Sequence, residues 1–270
     1  MNALRIGVVG TGPWGTNIER TLRTLPGCEV AFVAGRDFAA ALETHDVDAV
    51  AIATASPSHL AVARACMKRG LSVFIEKPLA TSLADGKHIA ALARRHDVSV
   101  FVGHLHLYNP GYAAMKRAVK KIGAIRRVLA EAGGPGPRRA DTNTLWDWTP
   151  HDVALLLDLF GRAPTRVDAR GDDDAVSLCL RFPGGAEAFI YNARTMPAKV
   201  RRVTVVGERG SAAFDDFLPK LPGAVSPLEA EMRAWLGSLR GKPFPSDLAQ
   251  GLAVLNVLDA AERAMKKQRG

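Results

Sequence analysis

The sequence predicts an α/β protein: a doubly wound parallel sheet followed by a second α/β domain with an open, mostly antiparallel sheet. Three observations carry this. An apolar run, Leu4 to Val9, stops at the turn Gly10-Thr11-Gly12-Pro13-Trp14-Gly15, and apolar positions at helical spacing follow from Thr16 to Leu25. Apolar runs then alternate with helical stretches as far as Val102. Beyond Asn109-Pro110 that rhythm gives way to consecutive alternating or apolar strands.

Taken in order, Val30 to Ala34 and Ala49 to Ala53 read as the second and third strands. Helix Ser58 to Arg69 follows, with Gly70 placed to end it. Leu71 to Ile75 is the next strand, and helix Leu83 to His96 leads to strand Ser99 to Val102. Near-continuous apolar strands with helical crossovers are buried on both faces, which is the pattern of a parallel sheet. Ligands of such sheets bind at the carboxyl ends of the strands. This first domain is expected to span residues 1–108, and the second 109–270, with the last helix able to return to the first domain.

In the second domain a helix is expected from about Gly111 to Lys121, and Gly133 to Pro137 reads as loop. Helix Pro150 to Phe160 ends at Gly161. Strands follow at Arg166–Arg170, Ala175–Phe182, Ala186–Asn192, Val200–Val206 and Ala212–Phe214. Pro183-Gly184-Gly185 is a hairpin signal between two of them. Helices at about Pro227–Leu239 and Asp247–Lys267 close the chain.

The turn Gly10-x-Gly12-x-x-Gly15 sits between a strand and a helix, the context in which this spacing binds a dinucleotide. Gly10 permits a sharp turn, Gly12 lets a pyrophosphate approach the backbone, and Gly15 lets helix and strand pack closely. Pro13 and Trp14 open the helix, whose free N–H groups and partial positive charge face the phosphates. In a Rossmann fold a carboxylate for the adenosine ribose is expected roughly 20 residues beyond the last glycine. That place holds Gly35 and Arg36. The missing carboxylate removes repulsion against a 2′-phosphate, and the guanidinium can pair with it, so the sequence leans to NADP over NAD. Asp37 is the alternative ribose partner.

Composition narrows the function classes. The chain has 270 residues, 47% of them hydrophobic, enough for a packed core. No run of about eighteen apolar residues suggests a membrane span, and the N-terminus lacks a signal-like pattern, so a cytoplasmic protein is expected. Cys28, Cys66 and Cys179 are far apart with no metal-ligand spacing, so no metal is expected. The net charge of +9 is scattered, without a basic stripe interleaved with aromatics, so no nucleic-acid partner is expected.

Ala53-Thr54-Ala55-Ser56-Pro57-Ser58-His59 and Val73-Phe74-Ile75-Glu76-Lys77-Pro78-Leu79, together with the glycine turn, resemble the Gfo/Idh/MocA family of oxidoreductases. That family includes glucose–fructose oxidoreductase and inositol dehydrogenases. The resemblance extends over the chain through Tyr108-Asn109-Pro110, Val205 to Gly210 and Ser226-Pro227-Leu228. It implies NAD(P)-dependent hydride transfer at a carbinol or carbonyl carbon of a sugar, sugar nucleotide or related polyol. It implies that Thr54, Ser56, His59, Glu76 and Lys77 serve the cofactor, and that the Lys77–Pro78 bond is cis. Lys77 would contact the reacting oxygen, stabilising alkoxide charge or acting as base.

The resemblance places a second catalytic piece at Asp147-x-x-x-His151. Four residues apart, the two share one helical face. His151 would be the general acid/base, with Asp147 orienting it or binding a substrate hydroxyl. Asp152 reads as a helix-start charge. Asn143, Arg139 and His104 are candidate substrate contacts. The chain departs from the family by its length, by compression between Arg36 and Val47 that leaves room for a short helix but not for the usual strand, and by Leu107 where many members carry arginine. These losses motivate an alternative, a nucleotide-binding sensor or partner protein with weak or lost catalysis. The open sheet is expected to make a homo-oligomer, a dimer or tetramer.

Overall fold

The computed structural model describes residues 2–135, 142–217 and 225–269. The chain divides into two compact units, Met1–Leu105 with Ser226–Leu255 and His106–Val225 with Asn256–Gly270. The segment Ser226–Leu255 belongs to the first unit, and the last helix is divided between the units at Leu255.

The first unit is built on strands β1 (Leu4–Val9), β2 (Cys28–Ala34), β3 (Ala49–Ile52), β4 (Ser72–Glu76) and β5 (Val100–Gly103). All pair in parallel, in the order β2-β1-β3-β4-β5. The crossovers are helices α1 (Pro13–Thr24), α2 (Phe38–Thr44), α3 (His59–Met67) and α4 (Leu83–His96). Ile6, Val8, Ile52, Phe74, Ile75 and Val102 are fully buried, as two-sided helical cover requires. The short α2 leads straight back to β3 on the other side of β1, so the strand absent from the compressed Arg36–Val47 stretch is an edge strand. Its loss leaves the reversal of strand order beside β1 intact, and that reversal is where ligands of such sheets bind.

Two later pieces complete this unit. Ser246 accepts a hydrogen bond from the Val102 N–H at 2.8 Å, and Asp247 bridges to Phe101, so this segment covers the free edge of β5. Helix α8 runs Pro227–Ser238 and buries Met232 and Trp235. The Trp235 ring lies 5.4 Å from that of Phe74 on β4.

The second unit holds α5 (Pro110–Val119), β6 (Ile125–Gly133), α6 (Thr144–Asp147), α7 (Thr149–Phe160), β7 (Arg166–Gly171), β8 (Ala175–Arg181), β9 (Glu187–Ala193), β10 (Val200–Gly207) and β11 (Gly210–Asp215). The sheet order is β11-β10-β6-β9-β8-β7. Only the β6–β9 pair is parallel, and the others are antiparallel, as a mostly antiparallel sheet requires. Strand β6 was not expected from the sequence, yet it sits between β10 and β9 near the middle of the sheet. It also corrects the loop reading of Gly133, which is its last residue. The remaining helix, α9, runs Leu248–Arg269.

Candidate active site

The glycine turn is built by three different constraints. Gly10 has φ +132°, and a Cβ there would stand 2.4 Å from the Ala53 carbonyl oxygen. A Cβ on Gly15 would stand 2.0 Å from the Gly10 carbonyl oxygen. Both glycines are therefore required by the protein itself. Gly12 is different. Its backbone is extended (φ −74°, ψ 176°), and a Cβ there would meet nothing within 4 Å. It is the position where a small residue leaves space for something else, at the N-cap of α1, with Pro13 at the start of the helix.

That space is part of a 510 Å³ cleft at the carboxyl ends of β1, β2 and β3. Gly10, Gly12, Gly35, Arg36 and Thr54, all singled out by sequence, line it together. Sequence reasoning missed Thr11, Phe38, Ser58 and Val62, which line it too. Asp37 is exposed, and its carboxylate accepts the Gly35 N–H at 3.0 Å, bending the end of β2. Donor N–H groups, an open glycine and a cation fit a dinucleotide with its phosphates at the α1 N-terminus.

Ser56 opens a single 3-10 turn before α3 and does not line the cleft. His59 is fully buried, its ring nitrogens 3.0 Å and 3.1 Å from the carbonyl oxygens of Pro78 and Thr54. It pins the turn after β3 to the turn after β4. Burial, opposed by those carbonyls, pushes its pKa down. The Lys77–Pro78 bond is cis. Glu76 ends β4 and is buried, one carboxylate oxygen accepting the Lys77 N–H at 3.1 Å. The exposed Trp14 also gives Glu76 a side-chain hydrogen bond, so Glu76 joins the glycine turn to the Lys77 turn. Lys77 is half-buried. His104, beyond the end of β5, is 1% exposed, and neither ring nitrogen has a partner among the described residues. Burial, with the nearby charge of Lys77, lowers its pKa to about 3, so the imidazole is neutral.

In the second unit Asp147 and His151 do not share one continuous helix. Asp147 ends α6, Trp148 intervenes, and His151 lies in the first turn of α7. The Asp147 carboxylate is 3.4 Å from the Arg194 guanidinium, which is buried and also donates to the Thr142 carbonyl. The His151 ring packs edge-on against His106 at 4.8 Å. His106 Nδ1 is 3.7 Å from Asp216, and Asp216 accepts a hydrogen bond from Asn109 at 2.6 Å. The sequence places His106 just after a strand end, as it does His104. Arg194 was not found by sequence, because it is isolated from any motif. Asn143 caps α6, its side-chain oxygen accepting the Trp146 N–H at 3.2 Å, and so has a local structural task. Arg139 lies outside the described residues.

Asp152 does lie in the first turn of α7, but it is more than a helix-start charge. It is fully buried, 2.5 Å from Arg201 on β10 and 2.7 Å from Asn192 on β9. Thr149 donates to the same Asn192 at 2.7 Å. Burial raises the Asp152 pKa, while Arg201 and Asn192 act against that shift. A buried pair of this kind contributes little net stability, but it fixes the first turn of α7, and with it His151, to the sheet. Among the described residues no cluster of His, Cys, Asp and Glu could hold a metal, and no helix is long and apolar enough to cross a membrane.

A parallel sheet with a dinucleotide turn at its switch point, joined to a sheet-bearing second domain, defines a two-domain nicotinamide oxidoreductase fold. The chain belongs to the Gfo/Idh/MocA family. Residues 28–104 match its oxidoreductase domain with an NAD-binding Rossmann fold, and residues 112–213 match a C-terminal domain of the family. A solved chain from Magnetospirillum magnetotacticum MS-1, assigned as an oxidoreductase, is 33% identical with a TM-score of 0.88, covering 96% of this chain and 100% of that one. UDP-N-acetylglucosamine 3-dehydrogenase of Acidithiobacillus ferrooxidans is 28% identical over 177 residues, 63% of this chain and 56% of that protein. Myo-inositol 2-dehydrogenase of Thermotoga maritima is 27% identical over 255 residues, 79% of this chain and 75% of that protein. The chain thus matches little more than half the length of the first of these two enzymes.

Proposed function

We propose that the protein is an NADP-dependent dehydrogenase or reductase acting on a CH–OH group of a sugar, sugar nucleotide or related polyol. The observation that carries this reading is Gly12, which faces open space in a cleft where the fold itself needs no glycine. The dinucleotide supplies a hydride acceptor or donor at its nicotinamide ring. The chain supplies the rest. The Lys77 ammonium donates a hydrogen bond to the reacting oxygen and stabilises alkoxide charge. His151 takes up or delivers the hydroxyl proton, and Asp147, held by Arg194, positions the substrate or the imidazole. The two dehydrogenases named above, one acting on a nucleotide sugar and one on a polyol, support the substrate class.

Arg36 in the cleft, with Asp37 committed to the Gly35 N–H, supports NADP. Arg36→Ala is expected to weaken NADPH binding by about tenfold, one charge-assisted contact, and to leave NADH binding within twofold. Fluorescence titration of both proteins with both nucleotides checks it; equal losses for the two would remove Arg36 as a 2′-phosphate partner.

The open face of the second sheet carries exposed Leu129, Tyr191 and Val206. Such a face supports a homo-oligomer built on this sheet. Sedimentation velocity should show a dimer or tetramer that Tyr191→Lys dissociates; a monomer at micromolar concentration would contradict this. The protein is proposed to work in the cytoplasm.

A further inference from the structure

Within the first unit, Glu231 is a buried acidic residue that does not line the cleft. It lies on α8, four residues before Trp235, whose ring packs on Phe74 of β4. That spacing puts Glu231 on the helix face turned toward β4. It is 0% exposed, and neither of its carboxylate oxygens has a partner among the described residues. Phe74 and Glu76 are two residues apart on β4 and share one face of the strand, both against Gly103, so Glu76 lies on the side that α8 covers. Glu76 has one unpartnered oxygen of its own. Its carboxyl fills a space kept free by Gly103, where a Cβ would stand 3.0 Å from the carboxyl carbon. Two buried carboxylates cannot both ionise at close range, and three orphaned oxygens in one place are costly unless a proton lies between them.

We infer that Glu231 and Glu76 share one proton, and that Glu231 is thereby a positioning residue for the glycine turn and the Lys77 turn. Protonated Glu231 donates its O–H to the free oxygen of Glu76. The ionised Glu76 keeps its other bonds, to the Trp14 side chain and the Lys77 N–H. The shared proton thus ties α8 to α1 and to the residue that faces the reacting oxygen. Lys77 acts on Glu76, and its charge also reaches His104, beyond β5, and the buried His59 of α3. Lys77 favours the single negative charge. The inference stands on this unit alone and does not depend on which nucleotide binds.

Burial raises both glutamate pKa values. A carboxyl held protonated in the fold adds stability at pH values below its unfolded pKa, and that stability is lost as pH rises through the folded value. The experiment uses the apo protein. Infrared spectra near neutral pH are expected to show the carbonyl stretch of a protonated carboxylic acid, and Glu231→Gln is expected to remove it. Thermal unfolding from about pH 5 to about pH 8 should show a falling Tm for the wild type. Glu231→Gln, whose amide donates to Glu76 at every pH, should flatten most of that fall. With nucleotide added, binding should weaken severalfold across neutrality in the wild type and stay constant in Glu231→Gln. Absence of the protonated-acid band in the wild type, its survival in Glu231→Gln, or equal pH slopes of Tm for the two proteins would each overturn the inference. Failure of nucleotide binding alone would overturn the proposed function and leave the apo readouts standing.

Discussion

Gly12→Val is expected to abolish useful dinucleotide binding while leaving the protein folded. The backbone at Gly12 is extended, a conformation valine adopts freely, and the new side chain meets no protein atom near its Cβ. Tm should therefore change little, within the range of about 0.5 kcal/mol found for neutral substitutions. The isopropyl group instead occupies the space above the α1 N-terminus, where the pyrophosphate must come within hydrogen-bond distance of the N–H groups. A loss of at least about 100-fold in affinity, roughly 2.8 kcal/mol, is expected. Gly15→Ala gives the contrast. Its Cβ would sit 2.0 Å from the Gly10 carbonyl oxygen, with backbone on both sides of the clash. That variant should lose about 1–3 kcal/mol of stability or more, as overpacked sites do. Thermal unfolding and calorimetric titration of the two variants separate a ligand-facing glycine from a fold-facing one. If Gly12→Val bound nucleotide normally, the cleft would have another use.

Lys77→Met is expected to lower kcat by about 10²–10³-fold, the usual cost of removing one donor to a developing oxyanion. Methionine keeps the length and much of the packing of the lysine stem, so the half-buried position is refilled. Glu76 retains its bond to the residue 77 N–H, because that donor is backbone. Nucleotide affinity should then stay within twofold of the wild type, and the loss should fall on the chemical step. Steady-state turnover with polyols and nucleotide sugars, beside a nucleotide titration, measures both quantities. Unchanged turnover would take Lys77 out of the mechanism. A wild type that binds nucleotide yet turns over none of these substrates would instead favour a sensor of the same fold.

Much of this arrangement was legible in the sequence because the first unit is locally consistent. Its strands are short apolar runs, its glycine turn is contiguous, and the Glu-Lys-Pro motif sits at a strand end. Even the missing edge strand could be inferred from the few residues between Arg36 and Val47. Strand β6 was not legible. Its buried residues, Val128, Ala130 and Ala132, include two alanines, while Arg126, Arg127 and Glu131 point to solvent. A strand so weakly apolar is defined by its neighbours β10 and β9 more than by its own pattern.

The same reason hid the buried charges. Glu231 and Asp152 look like surface residues of amphipathic helices, and only the packing of α8 on β4 and of α7 on the sheet shows that they are enclosed. His106 stands just after a strand end in the sequence, but its place beside His151 depends on the turn that precedes Asn109. Four-residue spacing suggested that Asp147 and His151 share a helix. The break at Trp148 assigns them to two helices, and Asn143 caps the first of them. Periodicity reports which residues face a common side; it does not report where a helix stops and restarts.

The most direct measurement of the central claim is calorimetric titration of the wild-type protein with NADPH and with NADH, with Gly12→Val as the control. One site per chain, tighter for NADPH, and no measurable heat for the variant are expected. Binding of neither nucleotide by the wild type, in protein shown to be folded, would contradict that claim.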